Sequence, residues 1–164
     1  MTRFLLISGS PRRGNTDFIL RTIFESIREE KELILLRERN IKHCRGCLSC
    51  DKSNKCAIQD DMQELYGKLL KADVIIIGSP NYFDNVTGLL KDFIDRTNPF
   101  YETDLLKGKK LIAVVVGGGD TNNSRRVTDQ ALTYFADCHK LDFIGKYCFK
   151  ALKPGEVEKD PDSY

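Results

Sequence analysis

The feature that most constrains folding is a set of short, unbroken apolar runs: Phe4-Leu5-Leu6-Ile7, Leu33-Ile34-Leu35-Leu36, Val74-Ile75-Ile76-Ile77 and Leu111 to Val116. Strands without alternating polar residues bury both faces, as in a parallel sheet with helices on either side. The first strand is expected over Arg3 to Ser8, and Leu141 to Tyr147 supplies a fifth. Between them, apolar residues recur at helical spacing. Phe18, Ile19, Ile23 and Ile27 follow a cap at Asn15 or Thr16, and Met62, Leu65, Leu69 and Leu70 follow Asp61, which with Glu64 forms a capping-box pattern. Leu89, Leu90, Phe93 and Ile94 run to about Arg96, and Val127, Ala131, Leu132 and Phe135 lie in a helical stretch from Ser124 to His139. This alternation predicts one doubly wound α/β domain over residues 1–164, a five-stranded parallel sheet with helices on both faces. The tail from Lys153 to Tyr164, with Pro154 and Pro161, is expected to be mostly loop, which leaves one sheet face short of a final covering helix.

Ligands of such sheets bind at the carboxyl ends of the strands, where three polar loops lie. In Ser8-Gly9-Ser10-Pro11-Arg12-Arg13-Gly14-Asn15-Thr16, hydroxyls, backbone N–H groups and the positive end of the next helix can surround a phosphate. No Gly-x-Gly-x-x-Gly and no Lys-Ser/Thr pair after Gly14 is present, so a terminal monophosphate suits this loop better than a dinucleotide or a nucleoside triphosphate. The second loop, Gly78 to Gly88, offers Tyr82 and Phe83 to a planar heteroaromatic ring and Asn81 to its polar edge. The third, Gly117-Gly118-Gly119-Asp120-Thr121-Asn122, permits close backbone approach. The first can also be read as an ordinary polar strand-to-helix turn, the second as a turn whose aromatics pack on the next helix, and the third as a flexible loop.

Cys44, Cys47, Cys50 and Cys56 hold four of the six thiols in one segment, with two, two and five residues between them. This segment, residues 43–60, is inserted between the second strand and the next helix. The start of the chain is too short an apolar run for a signal peptide and no segment approaches a membrane span, so a cytoplasmic, reducing setting is expected, where clustered thiols bind metal or do redox work. The spacing allows a cubane iron-sulfur cluster, whose corners accept closely spaced cysteines. Mononuclear zinc, which usually takes two separated Cys-x-x-Cys knuckles, and redox-switching thiols are the alternatives. His43 is expected to be solvated, and Cys138 and Cys148 to be buried hydrophobes. With 26 basic and 24 acidic residues the charge is nearly balanced, which gives nucleic-acid binding no support.

Gly9-Ser10-Pro11-Arg12 with Gly14-Asn15-Thr16, and Ser79-Pro80-Asn81-Tyr82 followed by Leu90-Lys91-Asp92-Phe93-Ile94-Asp95-Arg96, resemble the NADPH-dependent FMN reductase group of flavodoxin-like proteins. The Cys44 to Cys56 segment resembles that of its iron-sulfur flavoprotein branch. The resemblance implies FMN, with Ser10, Arg12, Asn15 and Thr16 at its phosphate, Pro80, Asn81, Tyr82 and Phe83 along the ring, and Gly117, Gly118, Gly119 and Asp120 at its other side. It implies a 4Fe-4S cluster on Cys44, Cys47, Cys50 and Cys56, and a homodimer or homotetramer in which the cluster serves FMN across a subunit interface. The function so implied is an FMN-dependent oxidoreductase passing electrons between cluster and flavin, with ferredoxin or NAD(P)H as donor. An NAD(P)H-dependent FMN or quinone reductase without a cluster, and a non-catalytic thiol sensor of metal or oxidants, are the competing readings.

Overall fold

A computed structural model describes residues 1–159. Five parallel strands, β1 (Arg3–Ser8), β2 (Glu30–Leu35), β3 (Val74–Pro80), β4 (Lys110–Gly117) and β5 (Asp142–Lys150), form one sheet in the order β2-β1-β3-β4-β5. This is the doubly wound order of flavodoxins, with its switch point between β1 and β3. The register aligns Ile7 with Ile34 on one side and Ile77 on the other. Between β4 and β5 it slips after Leu111.

The apolar runs of β1, β3 and β4 bury both faces, as expected, while in β2, at the sheet edge, Ile34 is buried and Leu33 and Leu35 are half-buried. Leu5, Ile7, Ile75, Ile77, Ala113 and Val115 point toward α3 (Met62–Lys71), α4 (Gly88–Arg96) and α6 (Thr133–Cys138). Leu6, Val74, Ile76, Val114 and Val116 point toward α1 (Asn15–Ser26). On that second face the expected loop-like tail contains α7 (Glu156–Lys159), whose Val157 is fully buried beside Phe149 and Ala151. Pro161 and the rest of the expected tail lie outside the described residues.

Three local expectations are corrected. The Asp61/Glu64 box does not form: Asp60 accepts from the Met62 N–H at 3.1 Å, Asp61 accepts from the Asn40 N–H at 2.7 Å, and Glu64 pairs with Arg39 and Lys68. Tertiary partners outcompeted the local cap. The helical stretch before β5 is α5 (Thr121–Val127), a wide π turn over Thr128–Leu132, and α6. The cysteine segment, expected to be loop, includes the short helix α2 (Ser49–Ser53).

Candidate functional site

At the carboxyl end of the sheet, Ser10, Arg12, Gly14, Asn15 and Thr16 after β1, Pro80, Asn81 and Tyr82 after β3, and Gly117 and Gly118 at the end of β4 line one cleft of about 170 Å³. Val116, Ala151, Leu152 and Pro154 complete it. Sequence reasoning missed those four: Val116 read only as a buried residue of β4, and nothing local marks the segment after the last strand, with Ala151, Leu152 and Pro154, as returning over the cleft. Gly119, Asp120 and Phe83 do not line it. Asp120 caps α5, accepting from the Asn122 N–H at 3.0 Å. Tyr82 and Asn85 exchange N–H···O bonds of 2.9 and 3.0 Å across a tight turn, with Phe83 and Asp84 at φ of 51° and 54°. Positive φ at both central residues is the type I′ geometry, which leaves Phe83 wholly exposed at the tip.

The β1–α1 loop is built for an anion. Gly14 precedes α1 without a side-chain cap, so the first N–H groups of a 12-residue helix are not claimed by one. Ser10 is buried and donates to the Arg12 carbonyl at 2.7 Å, fixing the turn. Asn15 has another job: its amide donates to the Lys153 carbonyl at 2.9 Å and its oxygen accepts from the Gly155 N–H at 2.9 Å. Its side chain thus holds the tail, and its backbone N–H is what remains for a ligand. Below the loop, Asp17 is buried, accepts from the Ser8 hydroxyl at 2.6 Å and pairs with Arg37 at 2.7 Å. Arg37 cancels a carboxylate that would otherwise repel an anion at the helix end.

The cysteine segment folds against the far end of α4. Cys44, Cys47, Cys50 and Cys56 line one cavity of about 40 Å³ with Arg96, Asn98 and Pro99. Positive φ at Gly46, Leu48 and Asn54 bends the segment around it. All four are free thiols. Among the described residues no three His, Cys, Asp or Glu side chains already stand together as a metal cage. The donor set nevertheless suits a thiolate-bound centre, since the four sulfurs share a cavity and amide donors reach them. Asn98 donates to the Cys50 sulfur at 3.0 Å, and the Ser49 hydroxyl and N–H hold the Cys47 thiol below its ordinary range.

Both ends of this segment are fastened by residues that no local pattern pairs. Arg96 and Asp60 are fully buried and joined by two bonds of 2.6 and 3.0 Å. Burial alone would raise the Asp60 carboxyl, but the Arg96 fork and the Lys42 and Met62 N–H groups outweigh it and hold the acid low. His43 is solvated as expected, yet Asp92 of α4 meets its Nδ1 at 2.7 Å and raises its proton affinity. Of the remaining thiols, Cys148 packs on the core and Cys138 lines a groove of about 420 Å³ between α4 and α6; both are half-buried, not buried.

The family model for NADPH-dependent FMN reductase matches residues 2–151. The chain belongs to that family. Among curated members of the family's iron-sulfur flavoprotein branch, one from Archaeoglobus fulgidus is 36% identical over 82% of this chain and 68% of its own length. Another from Methanocaldococcus jannaschii is 38% identical over 85% of this chain and 74% of its own. The resemblance to the iron-sulfur flavoprotein branch thus holds, and the protein is a flavin-dependent oxidoreductase of this branch. The Trp repressor binding protein from Bacillus subtilis superposes with a TM-score of 0.71 at 19% identity, over 99% of this chain and 94% of its own, which shows the shared flavodoxin-like fold. No described helix is long and apolar enough to cross a membrane.

Proposed function

We propose that the protein is an electron relay with FMN in the strand-end cleft and a 4Fe-4S cluster on Cys44, Cys47, Cys50 and Cys56. The observation that carries this reading is that the four thiols line one cavity at one end of α4 while the cleft loop leads into its other end. Bound flavin exchanges one or two electrons and a cluster exchanges one at a time. The chain's own part is to bind, orient and shield. Ser10, Arg12 and the backbone of Gly14 to Thr16 receive the phosphate, while Pro80, Asn81 and Tyr82 flank the ring from the β3 side and Gly117 and Gly118 from the β4 side. Thr87 fixes α4 relative to that cleft: it caps the helix by accepting from the Leu90 N–H at 3.3 Å and donates to the Gly9 carbonyl at 2.6 Å.

The exposed cysteine loop carries Arg45, Lys52 and Lys55 against Asp51, with Lys42 just before it and Asp60 paired to Arg96, a local excess of positive charge that favours an acidic electron donor such as a ferredoxin. An exposed loop of this kind also fits a homodimer or homotetramer in which it meets a second copy, as the branch resemblance implies. Protein isolated and reconstituted without oxygen is expected to contain stoichiometric FMN, iron and acid-labile sulfide, and to take electrons from a reduced ferredoxin. Flavin without iron and sulfide, bleached directly by NAD(P)H, sinks the relay and leaves a simple FMN or quinone reductase. Colourless protein that binds neither FMN nor iron leaves the thiol sensor.

A further inference from the structure

Arg96 is a cation buried at the wall of the cysteine cavity, and nearly all its donors are spent. Nη1 donates to the Lys42 carbonyl at 2.8 Å and to Asp60 at 2.6 Å, and Nη2 donates to Asp60 at 3.0 Å and to the Ile58 carbonyl at 3.4 Å. These bonds hold the entrance and the exit of the cysteine segment together. Nε is left over: it is buried and has no hydrogen-bond partner. Native proteins rarely leave a buried donor unmet, least of all on a charged group. The Cys56 sulfur stands beside this guanidinium and beside the Tyr66 hydroxyl. Tyr66 already gives its proton to the Arg96 carbonyl, at 2.6 Å. Two residues on, Asn98 donates to the Cys50 sulfur at 3.0 Å. The stretch from Arg96 to Asn98 thus places a bound N–H donor at Cys50 and an unmet one at the wall of the cavity that Cys56 lines.

We propose that Arg96 and Asn98 are positioning residues for the cysteine centre: Arg96 through Nε–H to Cys56, and Asn98 through its amide to Cys50, they set how tightly a 4Fe-4S cluster is held and how readily it is reduced. The inference rests on the relay reading. An N–H donor to a ligating sulfur draws electron density off the thiolate, so the more negative, reduced cluster gains more than the oxidised one. Removing the donor therefore lowers the reduction potential and loosens the ligand. The α4 helix that orients the flavin loop at its start would tune the cluster from its end.

The test compares anoxically reconstituted wild type with Asn98→Ala and Arg96→Lys, reading iron, sulfide and flavin content, the midpoint potential by EPR-monitored titration, and iron release to a chelator. Lys keeps a positive charge for Asp60 but has no Nε–H. Both variants are expected to shift the potential to more negative values and to release iron about 10- to 100-fold faster, with Asn98→Ala melting like the wild type. Should Arg96→Lys fail to fold, wild type grown with Nε-¹⁵N arginine replaces it, and a ¹⁵N hyperfine coupling to the reduced cluster is expected. Unchanged potential and release in Asn98→Ala, or a loaded wild type with neither an arginine coupling nor an effect of Arg96→Lys, overturns the assignment for that residue while the relay stands. Wild type that binds FMN but no iron and sulfide overturns the relay and this inference with it.

Discussion

Arg96 and Asp60, 36 residues apart, form a fully buried two-bond ion pair that fastens the cysteine segment to the end of α4. Removing one charge strands the other in the interior. Asp60→Asn is expected to cost about 3–5 kcal/mol of folding stability, read in chemical denaturation of the apo protein. A loss within the range of a surface ion pair, under about 1 kcal/mol, would show that the pair does not anchor the segment.

Gly9 sits where β1 passes α4. A Cβ there would lie 2.7 Å from the Leu90 Cβ, and the Gly9 carbonyl accepts from Thr87, which caps the same helix. Gly9→Ala must push α4 away from the sheet. It is expected to destabilise by about 1–3 kcal/mol and to lower the flavin retained after purification, checked by melting and by FMN released per chain.

Arg37 and Asp17 form a charge pair beneath the candidate phosphate loop. Arg37→Met uncovers the carboxylate close to the end of α1, and FMN affinity is expected to fall about tenfold, or about 1.4 kcal/mol. Adding Asp17→Asn should restore much of it. Fluorescence titration of apo protein measures both, and a double variant no better than Arg37→Met would remove repulsion as the cause.

Phe83 stands at the tip of a turn with φ of 51° and full exposure. Asn tolerates that conformation better than Phe. Phe83→Asn is expected to stabilise by about 1 kcal/mol and to leave the FMN dissociation constant of the isolated subunit unchanged. Weaker FMN binding would return Phe83 to the ring, as the family resemblance implies.

His139 is buried, with Nε2 at 2.8 Å from the Thr97 hydroxyl and Nδ1 at 3.2 Å from the Phe100 carbonyl. Burial holds its proton affinity below the unfolded value of 6.5. The unfolded chain therefore binds the proton first as pH falls. This contribution to stability is complete above pH 6.5 and is lost as pH drops through the lower folded value. Melting temperature should decline as pH falls below 6.5, and His139→Gln should flatten that slope.

The apolar runs, the helical spacing between them, the phosphate-loop polarity and the cysteine spacing are each written within a dozen or so consecutive residues, and periodicity decides at that range. They determined the sheet, the alternation of helices, and the cleft residues Ser10, Arg12, Thr16, Asn81, Tyr82, Gly117 and Gly118 that the structure brings together. What only tertiary structure decided depends on crossovers that join distant segments. Asn15 reaches a carbonyl 138 residues away, Asn98 a sulfur 48 away, and Arg96 a carboxylate 36 away. Asn15 still lines the cleft although its side chain is engaged by the tail, whereas Asp61 looked like a cap because local hydrogen bonding favours that role. Burial gave them other partners, since a polar group enclosed by the fold must bond to whatever the packing places beside it.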